Sequence, residues 1–230
     1  MLQKPHLLRI KRPNRRPSEA QIKAFEGMPA SFVSDAMGGA GALDTAIAPP
    51  SNAVSASVVG VALTVENTPG DLQATLAGLH FLQPGDIFMV NAGGYLGCSA
   101  SGDLVTGMAK NAGALGFVID GPMRDIAGIE AVGLPVWCMG LNPSSPTVQG
   151  PGKIGYPTLI GGQPVETGDI IVADRDGVVV VPFAQIDAVI AVLPKVKADE
   201  EEMEAKVAEG LKGFDTVAAL LKSDQVAYED

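Results

Sequence analysis

Two polar, glycine-rich stretches carry the residues best suited to chemistry. The first runs from Gly93-Gly94-Tyr95-Leu96-Gly97 to Ser101-Gly102-Asp103. It is small or flexible nearly throughout and lies between an apolar run and a helical one, where backbone can approach a ligand closely. Asp103 has the type and place of an N-cap for a helix beginning at Leu104. The Leu104 and Val105 amides would then point out of the helix start toward a carboxylate or phosphate. Neither nucleotide-binding glycine signature is present, since no Gly-Lys-Ser/Thr follows and the Gly-x-Gly-x-x-Gly register is absent. The second stretch, Asp120-Gly121-Pro122-Met123-Arg124-Asp125, follows the apolar run Leu115 to Ile119. That places it at the carboxyl end of a strand, where open α/β sheets hold their ligands. A carboxylate there suits a hard divalent cation that keeps several waters, and a guanidinium clamps a carboxylate or an enolate oxygen in bidentate fashion. The same six residues would equally make an Asp-Gly turn with a surface ion pair. Asp103 on the other stretch tips the reading toward a site.

The surrounding pattern supplies elements to position these residues. Ser18 to Phe25 reads as a helix capped by Ser18, and Ser31 to Met37 as a second. Ala56 to Val65 is a Val-rich strand interrupted by Gly60, and Asp71 to Leu79 has helical spacing at Leu72, Leu76 and Leu79. Strand and helix then alternate: strand Ile87 to Asn91, helix Leu104 to Asn111, strand Leu115 to Ile119, helix Ile126 to Ala131, strand Pro135 to Met139. This order predicts an α/β layer. Asn142 to Gly155 is rich in Pro, Ser and Gly. Beyond it Ile170 to Ala173 and Val178 to Val181 flank Asp174-Arg175-Asp176-Gly177, a hairpin with an Asp-Gly turn. Helices are expected over Gln185 to Leu193 and Ala198 to Leu211, separated by Pro194, the second acidic enough to face solvent or a cation.

Composition narrows the classes. With 230 residues, 47% of them apolar and 18% charged, the chain can bury a full core. Its longest apolar runs fall far short of the roughly 20 residues a bilayer helix needs, and the basic start leads into no apolar signal core, so a cytoplasmic protein is expected. The net charge of −10 is uneven: Lys4, Arg9, Lys11, Arg12, Arg15 and Arg16 all precede Ser18, leaving ten cations against twenty-six acids in the rest. The body should repel nucleic acid, and the basic arm, with three prolines and no aromatic partner, reads as a solvated tail or a strap onto a neighbouring subunit. Cys98 and Cys138 read as small buried hydrophobes. His6 and His80 lack partners for a nucleophilic triad, Lys110 reads as an exposed helix lysine rather than a Schiff-base former, and Trp137 as core or a subunit contact.

Asp103 is followed by twenty residues, Leu104 to Met123, and then by Arg124-Asp125. With Val33-Ser34-Asp35-Ala36, Gly116 to Gly121, Gly133-Leu134-Pro135-Val136, Gly168-Asp169-Ile170 and Asp176 to Pro182, this spacing resembles the 4-hydroxy-4-methyl-2-oxoglutarate aldolases together with the regulator of ribonuclease activity A. The resemblance implies an α/β/β/α sandwich like the swivelling phosphohistidine domains, assembled as a homotrimer or homohexamer with sites between subunits. It divides the chain into a basic arm (1–17), a single catalytic domain (18–185) and C-terminal helices packing on a neighbouring subunit (186–230). It implies a divalent metal, Mg2+ or Mn2+, ligated by Asp125, with Asp103 holding a water on it. Arg124 would bind the keto oxygen and stabilise the developing enolate, and Gly102 with the Leu104 and Val105 amides would bind substrate, the amides taking the pyruvyl carboxylate. A glutamate from an adjacent subunit's C-terminal helix is also implied, Glu200 first and Glu201 next. The expected activity is metal-dependent cleavage of a 4-hydroxy-2-oxo acid to pyruvate, with oxaloacetate decarboxylation as a side activity. Two alternatives stand beside it, the same site acting on another 2-oxo acid and a non-catalytic ribonuclease regulator. The sequence departs from the family at Ser101, where a bulky aromatic is frequent, at Pro122 and in the basic arm, differences that bear on the distal end of the substrate.

Overall fold

The computed structural model describes residues 6–51 and 57–229. Lys4 of the basic arm and Ala56, the expected first residue of a strand, lie outside them. In chain order the elements are β1 (Leu8–Ile10), α1 (Glu19–Lys23), α2 (Ala30–Ala36), β2 (Val58–Asn67), α3 (Gln73–Gly78), β3 (Asp86–Asn91), α4 (Asp103–Asn111), β4 (Gly116–Ile119), α5 (Ile126–Val132), β5 (Val136–Trp137), β6 (Gly152–Ile154), β7 (Thr158–Ile160), β8 (Gln163–Val165), β9 (Ile170–Ala173), β10 (Val178–Val181), α6 (Ile186–Ala208) and α7 (Asp215–Leu220).

Side-chain alternation along the strands builds four layers. β2, β3, β4 and β5 pair in parallel, joined in turn by α3, α4 and α5. On β3, Phe88 and Val90 face a core shared with those helices, while Ile87 and Met89 face the opposite side. The same division separates Phe117 and Ile119 from Val118 on β4, and Val136 from Trp137 on β5. The second core is closed by Ile171, Ala173, Val178 and Val180 of the antiparallel pair β9 and β10 and by Ile160 and Val165 of the β7–β8 hairpin. The alternate residues Ile170, Val172, Val179 and Val181 face a third core against α1, α2 and α6. Three stacked cores between helices and two β-layers make the α/β/β/α sandwich. Every one of these inward side chains is buried from water, the main source of stability at about 25 cal/mol per Å² of apolar surface.

β2 joins the layers. Its first residues, Val58 to Val61, pair antiparallel with β9, and its last, Val65 to Asn67, pair antiparallel with β6. Ser18 caps α1 as expected, through a capping box with Gln21. The hairpin at Asp174 to Gly177 closes with the Asp174 amide donating to the Gly177 carbonyl. Trp137 is wholly buried core, with its indole N–H donated to the Asp174 carbonyl, and both cysteines are buried and free. Burial pushes the Cys138 thiol up to about 11, which leaves it unreactive at neutral pH.

Two expectations are corrected. The basic arm is strapped to its own domain rather than free as a solvated tail. Leu8–Ile10 pairs in parallel with β6, Arg15 bridges Glu166 and Asp169, and Arg16 bridges Asp86. The buried carboxylates of Asp86 and Asp169 and the partly exposed Glu166 are partners the arm's own composition could not reveal. Pro194 does not separate two helices, because α6 runs through it. The first part of α6 is fixed by Ile186, Val189 and Leu193 in the third core, and exposed i,i+4 pairs such as Glu202 with Lys206 support the part beyond. Together these offset the roughly 3 kcal/mol a mid-helix proline costs.

The long connection from β5 to β6 is pinned along its length. The Asp71 carboxylate takes the amides of Gln73, Gln149 and Gly150 and the hydroxyl of Thr147, at 2.7 to 3.0 Å. Burial acts to raise this carboxyl, but the four hydrogen bonds outweigh it and hold it below the ordinary value. A depressed carboxyl stabilises the fold above the unfolded value and loses that contribution as pH falls through the folded one. Asp71→Asn should therefore cost about 1–3 kcal/mol in denaturant unfolding at pH 7, with the difference from the parent closing below about pH 4.

Candidate functional site

The site is built where two helix starts meet. α4 begins at Gly102, whose carbonyl accepts the Thr106 amide at 3.1 Å and the Thr106 hydroxyl at 2.9 Å. The cap is thus Gly102 and not Asp103, a correction of one residue. As the first helical residue, Asp103 turns its Oδ1 to the amide of Leu104 at 2.7 Å. The Leu104 amide is therefore satisfied within the chain rather than free for a ligand. The Leu104 side chain is 76% exposed, and that of Val105 is buried in the first core.

α5 begins at Asp125, the only non-glycine among the described residues with positive φ, at φ 59° and ψ 46°. A left-handed carboxylate at a strand-to-helix turn is a constraint the surroundings must hold. Met123 lies in parallel bridges with Ser101 and Leu141, and the Arg124 amide donates to the Ser101 carbonyl at 3.2 Å. These bonds set Arg124 and Asp125 directly beside Gly102.

Two glycines let the helix starts interlock. A Cβ on Gly102 would lie 3.0 Å from Asp125 Oδ2 and 3.3 Å from Arg124 Cγ. A Cβ on Gly128, in the first turn of α5, would lie 2.3 Å from Asp103 Oδ2 and 2.7 Å from Asp103 Cβ. Each helix start thus lodges the other's carboxylate over a missing side chain. Arg124 Nε donates to Asp125 Oδ2 at 3.2 Å, and Arg124 Nη1 donates to Ser145 Oγ at 2.7 Å. With side chains 36% and 50% exposed, Arg124 and Asp125 are open to a ligand.

The structure sets Gly102 beside Arg124 and Asp125, and Asp103 over Gly128, with Leu104 following in α4. It does not bring Glu200 to them within one chain: α6 packs on α1 and α2, and among the described residues no group of three His, Cys, Asp or Glu could hold a metal ion. The glycine loop after β3 has an internal occupant. Asp120 is buried, its Oδ1 accepts the Ala92 amide, and the Gly93 amide is taken by Asn91. Burial raises the Asp120 carboxyl, opposed by nearby amides including those of Gly93 and Gly94. Gly128 and Ser145 were missed. A glycine three residues into a short helix and a serine in a Pro/Ser-rich loop carry no local signal of what they face.

A model of the RraA-like family, described as Aldolase/RraA, matches residues 30–180, which contain Gly102, Asp103, Arg124 and Asp125. The chain belongs to this family. The chain is 36% identical over 190 residues, 83% of its length and 90% of the relative's, to a protein of Halalkalibacterium halodurans named "Putative 4-hydroxy-4-methyl-2-oxoglutarate aldolase". Streptomyces coelicolor RraAS2, described as an unusual member of the RNase ES inhibitor RraA protein family, superposes with a TM-score of 0.73 at 26% identity, covering 83% of this chain and 100% of that one. An uncharacterised protein of Pseudomonas syringae pv. tomato superposes with a TM-score of 0.75 at 25% identity, covering 86% and 97%. Among the described residues no helix is long and apolar enough to cross a membrane. Glu200 and the basic arm lie outside the matched span of this RraA-like chain.

Two stability measurements test the interlocked geometry. Gly128→Ala should destabilise by about 1–3 kcal/mol through overpacking, although glycine to alanine in an open helix gains up to about 1 kcal/mol. Asp125→Asn should keep the parent's stability because Asn tolerates the left-handed region, whereas Asp125→Ala should lose about 1 kcal/mol in the same denaturant titration.

Proposed function

We propose that this RraA-like protein is a divalent-cation-dependent pyruvate-forming lyase acting on a 4-hydroxy-2-oxo acid. The interlock that sets Arg124 and Asp125 beside Gly102, at the helix start that carries Asp103, is the observation that carries the proposal. The 36% identity to a relative named as an aldolase supports it.

The donor set fits a hard cation. Asp125 Oδ2 and Asp103 Oδ1 each take one hydrogen bond, and among the described residues Asp125 Oδ1 and Asp103 Oδ2 take none. A Cβ at Gly102 or Gly128 would fill the space against these carboxylates. Mg2+ or Mn2+ is held by one or two carboxylates and several waters, so Asp125, with Asp103 acting through a water, would suffice. When bound, the cation supplies Lewis-acid polarisation of the 2-oxo group.

The chain's own groups do the rest. The Arg124 N–H donors left over from Asp125 and Ser145 bind the C2 oxygen and stabilise the charge that develops on it as the C3–C4 bond breaks. The electron pair of that bond becomes the enolate of pyruvate, and C4 becomes the carbonyl of the second product as its hydroxyl loses a proton. Asp103 orients the water that takes this proton and then returns a proton to C3 of the enolate, giving pyruvate, and the first turn of α4, with Gly102 leaving room, receives the substrate carboxylate at the Leu104 and Val105 amides. For Leu104 this requires the Asp103 carboxylate to turn away from its own helix. Loss of CO2 from oxaloacetate passes through the same enolate, which makes decarboxylation the expected side activity. The distal end of the substrate meets the exposed Leu104 side chain. In this proposal the protein works as a homotrimer or homohexamer, with Glu200 of a neighbouring copy directed at the site.

Pyruvate release measured with Mg2+, with Mn2+ and with chelator, offering 4-hydroxy-4-methyl-2-oxoglutarate and oxaloacetate, tests the proposal. Cation-dependent release is expected, reduced at least about 100-fold by Arg124→Ala, the scale of losing one donor to a developing oxyanion. Equal release by Arg124→Ala would contradict it. Silence of the folded parent toward both substrates would favour a regulatory role, which the likeness to RraAS2 supports.

A further inference from the structure

Arg124 is gripped on a side that neither helix start supplies. Nε is held by Asp125, while Nη1 donates to Ser145 Oγ at 2.7 Å across the β5–β6 connection. Ser145 is exposed, and a hydrogen bond to an exposed hydroxyl adds little to folding. Yet the segment that carries it is fixed on both sides. The Ser144 carbonyl accepts from the amide and the hydroxyl of Ser99, at 2.9 and 2.8 Å, and the Ser144 amide donates to Asn142 Oδ1 at 2.9 Å. Asn142 is itself tied to the carbonyls of Met123 and Leu96. On the other side the Thr147 amide donates to the Gly70 carbonyl at 2.8 Å, and the Asp71 carboxylate gathers Thr147, Gln149 and Gly150. Pro146 directly after Ser145 restricts the serine to extended backbone. The anchors on either side stabilise the connection, but the Ser145 hydroxyl they present is exposed, and its bond to Arg124 serves orientation.

We propose that Ser145 is a positioning residue. It fixes the rotation of the Arg124 guanidinium about its long axis, so that the N–H groups not engaged by Asp125 and Ser145 face the C2 oxygen of the substrate. Asp125 alone would hold Nε and leave the plane free to turn. The inference rests on the lyase reading for its effect on turnover but not for its effect on Arg124.

Both parts are measurable on the full chain. Ser145→Ala is expected to lower kcat about 10-fold while KM changes less than about 3-fold, since orientation is paid for in the transition state more than in binding. Ser145→Thr, which keeps the hydroxyl, should restore the rate, and the thermal midpoint should not move in either variant. Parent-like kcat in Ser145→Ala would overturn the inference. So would a joint fall in kcat and thermal midpoint that Ser145→Thr fails to repair. Side-chain NMR of Arg124 gives a readout independent of turnover. The Nη groups should be distinct in the parent and averaged by rotation in Ser145→Ala. If the parent releases no pyruvate, the lyase reading fails and the NMR comparison alone decides. Equal averaging in parent and variant would then overturn the role of Ser145.

Discussion

Everything at the site depends on how closely α4 and α5 approach at their first turns. Gly102 makes room for Asp125, and Gly128 makes room for Asp103. Side chains at either position would drive the helix starts apart and take Arg124 with them. The approach has an electrostatic reason as well as a steric one. Both helix starts carry partial positive charge, and the carboxylate of each lies at the start of the other as well as its own. Arg124 is held there by Asp125 on one side and Ser145 on the other. The strained backbone at Asp125 is the local cost of this arrangement, sustained by the bridges of Met123 to Ser101 and Leu141.

The layers exist to hold that approach still. α4 and α5 leave and re-enter the same parallel sheet, so Phe88, Phe117 and Ile119 beneath them set the height and spacing of both helices. The second core, with Trp137 and the β9–β10 pair, backs the sheet against bending. Around the open side, the β5–β6 connection is tied to α3 by Asp71 and to the loop after β3 by Ser144, and so presents Ser145 to Arg124. Rigid elements position the carboxylates, and an anchored loop adjusts the guanidinium. Groups held this way suit the proposed activity, which would need them fixed to within a fraction of an ångström before a substrate arrives.

Local pattern carried most of the fold. Alternation along Ile87 to Asn91 and Val178 to Val181, and helical spacing over Leu104 to Asn111, all report a burial face that neighbouring residues share, so a short window suffices to read them. Asp103, Arg124 and Asp125 were legible for a different reason, since charged residues in glycine-rich segments after apolar strands are hard to place in a core. What escaped depended on distant partners. The strand Leu8–Ile10 forms only because β6, over 140 residues later, offers an edge, and Arg15 and Arg16 dock only on Asp169, Glu166 and Asp86. Pro194 stays helical because Ile186, Val189 and Leu193 are anchored in the third core. Gly128 and Ser145 matter through single contacts across the fold, and nothing in their own neighbourhoods in the sequence reports those contacts.

The proposed activity requires that this site stabilise the enolate of pyruvate. Proton exchange at the methyl group of pyruvate itself tests that requirement without any choice of distal substituent. The protein is incubated with pyruvate and Mg2+ or Mn2+ in deuterium oxide, and the methyl signal is followed by proton NMR. Exchange well above that of the cation alone is expected, falling to the cation-only rate in Arg124→Ala. Exchange no faster than the cation alone, in a folded parent protein, would contradict the proposal.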